Sequence, residues 1–500
     1  MLVRSRSRCQ WAAVSLLFVA SICAAGPKLQ THRIDPGREL IITDLAVVDS
    51  PMASYPGPWS FGHLIRNLAG PGNEGAFLES WLGSWETDQM VNKQVIPARR
   101  ELARQLLRQW QERDGFQPPP PVLGPGGAPV RSDAGPSKWD PNFFHAPFRL
   151  LAIVNRLDTG IRIVRKEVEE NRGLPGLTKV EVKKTEMELS VGLTGTPQYY
   201  GSSEAQSVGE ARFVFAAIDQ AGEPIPGGFT VIFEYGLPGQ DMASAVSWAS
   251  LWHSLGDHKS FDDAYRRQLM AITGGFSKDG STLRQIRTND AAFGEVQELR
   301  EFSYTGSVTT SGASGSATQA RLSPSTVAGT PAPEFALGGE TAYQLALSAY
   351  INDQEREILD VAHVVPGTVD VSGKTVGFLG ARAVLAPVGE AGDREKNAGF
   401  FWDAPRIQER EARRIFSLNT CNGCHGAETA AAGGFHIFPR RAGEEARLSD
   451  FLRLDGRDLR VPDPPARARA QRPLCRNRAS HPAHGGAPFP KVDPTSCATS

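Results

Sequence analysis

The residues richest in chemistry are Cys421-Asn422-Gly423-Cys424-His425. Two thiols three positions apart, followed at once by an imidazole, are what covalent haem attachment requires. Each sulfur adds across one vinyl group of the same porphyrin, and the neighbouring histidine reaches the iron as an axial ligand. Cys421 and Cys424 are therefore the expected anchors of one covalent haem c, and His425 the expected proximal iron ligand. The distal ligand has a weaker signal. The methionines are Met1, Met52, Met90, Met187, Met242 and Met270, and none follows the motif. His436, eleven residues after His425 in GGFHIFPR, is the candidate distal ligand. A second imidazole would lower the reduction potential relative to His/Met ligation. The other readings of His436 are a loop histidine and an iron site left open to a small molecule. Pro439 and Arg440 are candidates to offer a carbonyl to the proximal imidazole and a charge to a propionate.

The same thiols also allow a redox-active or structural Cys421–Cys424 disulfide. A zinc site needs more ligands, and no second Cys-x-x-Cys pair occurs. Gly70-Pro71-Gly72-Asn73-Glu74-Gly75 matches G-x-G-x-x-G literally. It lies between two helical stretches and follows no strand, so it reads as a turn rather than a dinucleotide site. His253 and His258 are five apart, not the four that places two ligands on one helix face. Arg149, Arg156, Asp158, Glu210, Arg212 and Glu234 interrupt apolar runs. Buried charges must be paired, so structural ion pairs are the plain account. A polar site with Glu210 or Glu234 as acid/base is the sharper one. Trp248 and Trp252, four apart, read as helix core.

The compartment suits haem c. Arg4, Arg6 and Arg8 precede an apolar stretch from Trp11 to Ala25, which closes on Cys23-Ala24-Ala25. This is the layout of a secretory signal peptide over residues 1–25, cleaved near Ala25, and it implies a periplasmic or secreted protein. The stretch falls short of the ~20 apolar residues a bilayer span needs, so no stable membrane span is expected. Cys9 and Cys23 would leave with the signal, while Cys475 and Cys497 could pair in an oxidising compartment. With 54 Lys+Arg against 55 Asp+Glu, nothing in the net charge drives binding to nucleic acid.

These residues need a scaffold, and the 500-residue chain suggests several units. Residues 34–115 read as a mixed segment with helices. A strand is expected over 34–48, helical stretches over 64–82, and an amphipathic helix carries Leu102, Leu106, Leu107 and Trp110. Residues 116–138 form a Pro/Gly linker. Residues 139–304 read as an α+β body. Its strands lie at 146–158, 209–219 and 229–236, with a charged hairpin or insertion at 162–188 and helices at 246–255 and 261–272. A Ser/Thr/Gly-rich loop follows at 305–335. The body continues over 336–400, with a helix at 343–361. A small, mainly helical haem segment occupies 401–455, its first helix opened by Pro405. An Arg/Pro-rich tail, 456–500, carries no hydrophobic period and is expected to be disordered. The expected fold class is α+β, a mixed-sheet body with helices.

Over 405–455 the sequence resembles c-type cytochromes, with the Cys-x-x-Cys-His motif as the firm match. A second resemblance is broader. ITDLAVVD, WSFGHLIRNLA, APFRLLAIVNRLD, GEARFVFAAID, FTVIFEYGLP, LRQIRTND, ELREF and FSLNTCNGCHGAET are similar to a family of exported bacterial proteins that join this body to the same C-terminal motif. That resemblance implies one functional unit from about 38 to 455 and brings no activity with it. The reading is an exported haem c protein for electron transfer or a redox accessory role, partnered by a redox protein or a small-molecule substrate. Two other readings stay open. One is an exported binding or hydrolytic protein whose Cys-x-x-Cys is a disulfide. The other is a haem-based gas sensor.

Overall fold

The computed structural model describes residues 39–116, 139–157, 161–172, 180–191, 207–239, 242–293, 296–306, 319–336, 340–359, 363–385, 402–426, 428–429, 434–449 and 452, with the 161–191 hairpin given by its backbone alone. The expected signal peptide (1–25), the linker from 117 to 138, residues 307–318 of the Ser/Thr/Gly-rich loop, Asp158, and the tail with Cys475 and Cys497 lie outside these residues.

The chain enters through β1 (Glu39–Ile42) and then makes a helical turn, α1 (Leu45–Val48). The strand expected to reach Val48 stops early because the Asp44 carboxylate accepts from the Ala46 amide and caps a helix start. Helices α2 (Phe61–Ala69) and α3 (Glu74–Gly83) are parted by a turn in which Gly70 and Gly72 adopt φ of 77° and 81°. The literal G-x-G-x-x-G is thus a helix–helix turn, where glycine is used for its left-handed backbone. The hairpin β2 (Gln89–Val91) and β3 (Gln94–Ile96) leads to α4 (Arg100–Arg113), whose Ala103, Leu106 and Trp110 are buried on one face.

The body follows as β4 (Phe148–Leu157), the hairpin β5 (Ile161–Arg172) and β6 (Val180–Val191), then β7 (Ser207–Ala217) and β8 (Phe229–Pro238). Helices α5 (Met242–His253) and α6 (Asp263–Ser277) precede β9 (Leu283–Asp290), β10 (Glu298–Thr305) and β11 (Arg321–Ser325). Then come α7 (Ala342–Asp353), α8 (Glu355–Leu359), the hairpin β12 (Thr368–Val371) and β13 (Lys374–Gly377), and the short β14 (Ala383–Val384). The single helix expected over 343–361 is thus two. No helix among the described residues is long and apolar enough to cross a membrane.

The main sheet runs β1-β4-β7-β8-β9-β10-β11, with β14 beside β10. The fold is α+β, as expected. The sheet, however, is antiparallel at every pairing among the described residues rather than mixed. The β8–β9 connection shows why. Two helices, not one, carry the chain back to the end of the sheet it left, so the next strand reverses direction.

Strand alternation gives this sheet two different faces. Phe213, Phe215, Phe233, Ile286 and Phe302 project to one side and build the large core with Trp59, Phe61, Trp81, Trp85 and helices α2–α6. At one end of that side, Asp290 is paired with Arg99, and Glu298 with Arg99, Arg300 and Arg382. Burial lifts the Asp290 carboxyl to about 7, against the pull of Arg99 and Arg300. A raised carboxyl pKa favours the folded state when protonated. Its contribution is full below the ordinary aspartate value near 3.8 and is lost as pH rises through about 7. Between pH 5 and 8 the native chain should therefore lose stability relative to Asp290→Asn, by on the order of a few kcal/mol. Denaturant titrations of both chains at fixed ionic strength measure the difference. Parallel pH profiles would refute it.

Candidate functional site

The other sheet face carries Ala152, Val154, Val214, Ala216 and Ile232 toward its β1 edge, where Ile437, Ala446 and Leu448 cover them. Further across, the same face turns ionic. The register places Arg212 opposite Glu234, Glu234 opposite Gln285, and Arg287 opposite Glu301. The side chains form an alternating chain over four strands. Arg212 pairs with Glu210 and lies 3.3 Å from Glu234, while Arg287 lies 3.3 Å from Glu234 and 2.6 Å from Glu301. Glu234 also accepts from Gln285 Nε2 at 2.5 Å. Burial alone would raise Glu210, but Arg212, Arg156, Arg284 and Arg287 hold it ionised, well below the usual carboxylate range. Glu210 and Glu234 thus sit in the structural ion pairs that the lone charges implied. Arg149 donates to the Arg440 carbonyl.

The Cys-x-x-Cys-His motif rests on this face. The helix expected to begin at Pro405 starts later, as α9 (Arg410–Leu418), capped by the Glu409 carboxylate. Residues 405–408 are held off helical geometry by α7. The Pro405 carbonyl accepts from Ser348, the Arg406 carbonyl accepts from Asn352 Nδ2, and Asn352 Oδ1 accepts from the Gln408 amide. Arg406 sits at a φ of 71°. Ala412, Ile415 and Phe416 of α9 pack with Trp402, Leu347, Ile351 and Phe378.

A one-turn helix, α10 (Cys421–Cys424), holds both thiols. Its cap is Thr420, whose Oγ1 accepts from the Gly423 amide (3.0 Å) and from Trp402 Nε1 (2.8 Å) and donates to the Ser417 carbonyl (2.7 Å). Neither cysteine is in a disulfide. Cys421 lies among Leu299, Val327, Ala383 and Leu385, and its amide donates to Thr330 Oγ1 at 2.8 Å. Burial pushes its thiol pKa up.

His425 follows the turn. Its Nδ1 is 2.7 Å from the Gly434 carbonyl. A carbonyl can only accept, so Nδ1 carries the proton and Nε2 keeps the lone pair. Burial, with Arg287 and Arg212 behind it, lowers the imidazole pKa to about 4 against the opposing Gly434 bond. The ring is neutral at physiological pH. His436 is brought to the same place. Its ring centre is 4.3 Å from that of His425, Nε2 is 3.5 Å from Cys424 Sγ, and Nδ1 is 2.9 Å from Ser449 Oγ. Burial and the neighbouring His425 hold its pKa well below the ordinary histidine value.

The donor set fits a covalently held haem. Two thiols are spaced for thioethers, and an imidazole is fixed by a backbone acceptor with its other nitrogen ready for a metal. His436 fits in place but not in spacing. Two imidazoles that would hold one metal between them must leave room for it between their ring nitrogens. At 4.3 Å between centres the rings are in contact, so iron ligation by both requires His436 to move back. Among the described residues, no three His, Cys, Asp or Glu side chains converge as a metal cage.

Two neighbouring assignments are corrected. The carbonyl that accepts from the His425 imidazole belongs to Gly434, not Pro439, because the chain turns back through Gly434 at a φ of 64°. Arg440 is committed elsewhere. Its guanidinium binds Asp49 at 2.5 Å and the Leu150 carbonyl at 2.8 Å, pinning the segment to β4 rather than meeting a propionate. His258 bonds Gln268, Trp252 is buried, and Trp248 donates to the Pro238 carbonyl, all packing roles. Thr420 was legible as a cap one residue before the turn. Asn289, Gln297, Thr330 and Gly434 carried no sequence signal, because their partners lie far along the chain. In comparisons with family models, curated proteins and solved structures, the chain matches none.

Proposed function

We propose that this protein is an exported haem c protein, periplasmic or secreted, that serves electron transfer or a redox accessory role. The observation that supports it best is the state of His425. The Nδ1–H of His425 donates to the Gly434 carbonyl at 2.7 Å, which leaves Nε2 as a lone-pair donor directly after the two thiols of α10. Cys421 and Cys424 would hold the haem and His425 would ligate its iron. Bound there, the group supplies one-electron redox chemistry. The chain's own part is to keep the imidazole neutral, fix its tautomer, and bury it beside His436 and the paired Arg287 and Arg212. The partner is a redox protein or a small molecule that exchanges electrons at this face.

The contact between His425 and His436 favours a second form of this reading, in which His436 stays off the iron and the distal side takes a small ligand, as in a gas sensor. One preparation tests both. The chain is exported from a strain that matures cytochromes c. It should show a Soret band that survives acid-acetone extraction, and Cys421→Ala/Cys424→Ala should lack it. Sharp α and β bands on reduction indicate two axial ligands, whereas carbon monoxide binding indicates an open position. Colourless protein with Cys421 and Cys424 oxidised to a disulfide sinks the proposal and favours the exported binding or hydrolytic reading.

A further inference from the structure

The Gly434 carbonyl has two donors. Besides His425 Nδ1 it accepts from Asn289 Nδ2 at 2.9 Å. Asn289 Oδ1 in turn accepts from Gln297 Nε2 at 2.6 Å. Asn289 is 2% exposed and Gln297 3%. Asn289 sits on β9, on the same face as Arg287, and Gln297 immediately precedes β10, where its own carbonyl accepts from the Leu385 amide at 2.9 Å. Gly434 has no room to change: a Cβ there would fall 2.2 Å from Gln297 Oε1. A buried relay thus runs from the central sheet to the imidazole, Gln297 to Asn289 to the Gly434 carbonyl, which His425 shares.

We propose that Asn289, backed by Gln297, is a positioning residue that sets the electron-donating strength of His425, so that the sheet body tunes the redox centre. The inference rests on the haem reading above. Two donors on one carbonyl oxygen compete for its electron density. While Asn289 holds part of it, the His425 N–H bond to that oxygen is weakened, and Nε2 is a poorer donor to the metal. Gln297 strengthens the effect by polarising the Asn289 amide that it bonds. Removing Asn289's donor gives the carbonyl to His425 alone. The ring becomes more basic, the oxidised metal is stabilised, and the reduction potential falls.

The test is a redox titration of holoprotein carrying Asn289→Leu, Gln297→Leu or both. Asn289→Leu should lower the reduction equilibrium constant three- to tenfold, about 30–60 mV at 59 mV per tenfold for one electron. Gln297→Leu should shift it the same way by less. The double variant should match Asn289→Leu alone, because Gln297 acts only through Asn289. Equal potentials in all four chains, or additive shifts, would overturn the relay. If Asn289→Leu does not fold, Gln297→Leu decides: a fall sustains the relay and no change ends it. If the wild type carries no thioether-bound haem, the haem reading is what failed. The relay is then read in the unloaded chain from the ¹⁵N shift of His425 Nδ1, which Asn289→Leu must move.

Discussion

Arg287→Leu is expected to destabilise the folded chain by about 3–5 kcal/mol at neutral pH, the cost of removing one partner from a buried ion pair. Arg287 is 3.3 Å from Glu234 and 2.6 Å from Glu301, whose side chains are 0% and 1% exposed. Glu234 would keep Arg212 and Gln285. Glu301 would keep the Ala328 amide at 3.0 Å. Burial already raises the Glu301 pKa with Arg287 present. Without the guanidinium it must be protonated or remain an uncompensated charge. The deficit should therefore shrink as pH falls and Glu301 takes up a proton, and Arg287→Leu/Glu301→Gln should recover part of it. Denaturant midpoints of the three chains at two pH values decide this. An Arg287→Leu unfolding free energy within about 0.5 kcal/mol of native, the range of neutral surface changes, would show that the chain of charges is not needed for stability.

Gly423→Ala is expected to damage the motif more than its single methyl suggests. A Cβ at position 423 would lie 2.0 Å from the Ser417 carbonyl oxygen and 2.5 Å from Ser417 Oγ. That carbonyl cannot easily give way, since it accepts from the Thr420 amide at 3.0 Å and from Thr420 Oγ1 at 2.7 Å. The same Thr420 oxygen caps α10 and takes the Trp402 indole. Relief requires α9 and α10 to separate, which moves both thiols relative to His425. Overpacking of this kind costs about 1–3 kcal/mol. On the proposed haem c function, the covalent haem yield should drop several-fold, with the remaining pigment thermally weaker. Asn422→Ala adds no atoms at the neighbouring position and serves as the control. Full haem yield and native melting for Gly423→Ala would show that the two helices accommodate the methyl.

Those two sites mark what can be read along the chain and what cannot. The sequence by itself determined the local things. The Cys421, Cys424 and His425 spacing, the strands with alternating or continuous apolar runs, and the amphipathic helix at 100–113 all depend on neighbours a few residues apart. It also showed that Glu210, Arg212 and Glu234 needed partners, because an apolar strand cannot bury a lone charge. Only the tertiary structure decided which partners these were. It set Arg287 and Glu301 beside them from other strands, chose Gly434 over Pro439 as the acceptor for His425, and gave Arg440 to Asp49. It placed His436 against His425 but at contact distance. The reason is physical. Caps, turns and periodicity are fixed by backbone geometry within a turn or two. The hydrogen bond from Asn289 to the Gly434 carbonyl joins residues 145 apart, and only the packing of the 434–449 segment onto the sheet face brings them together.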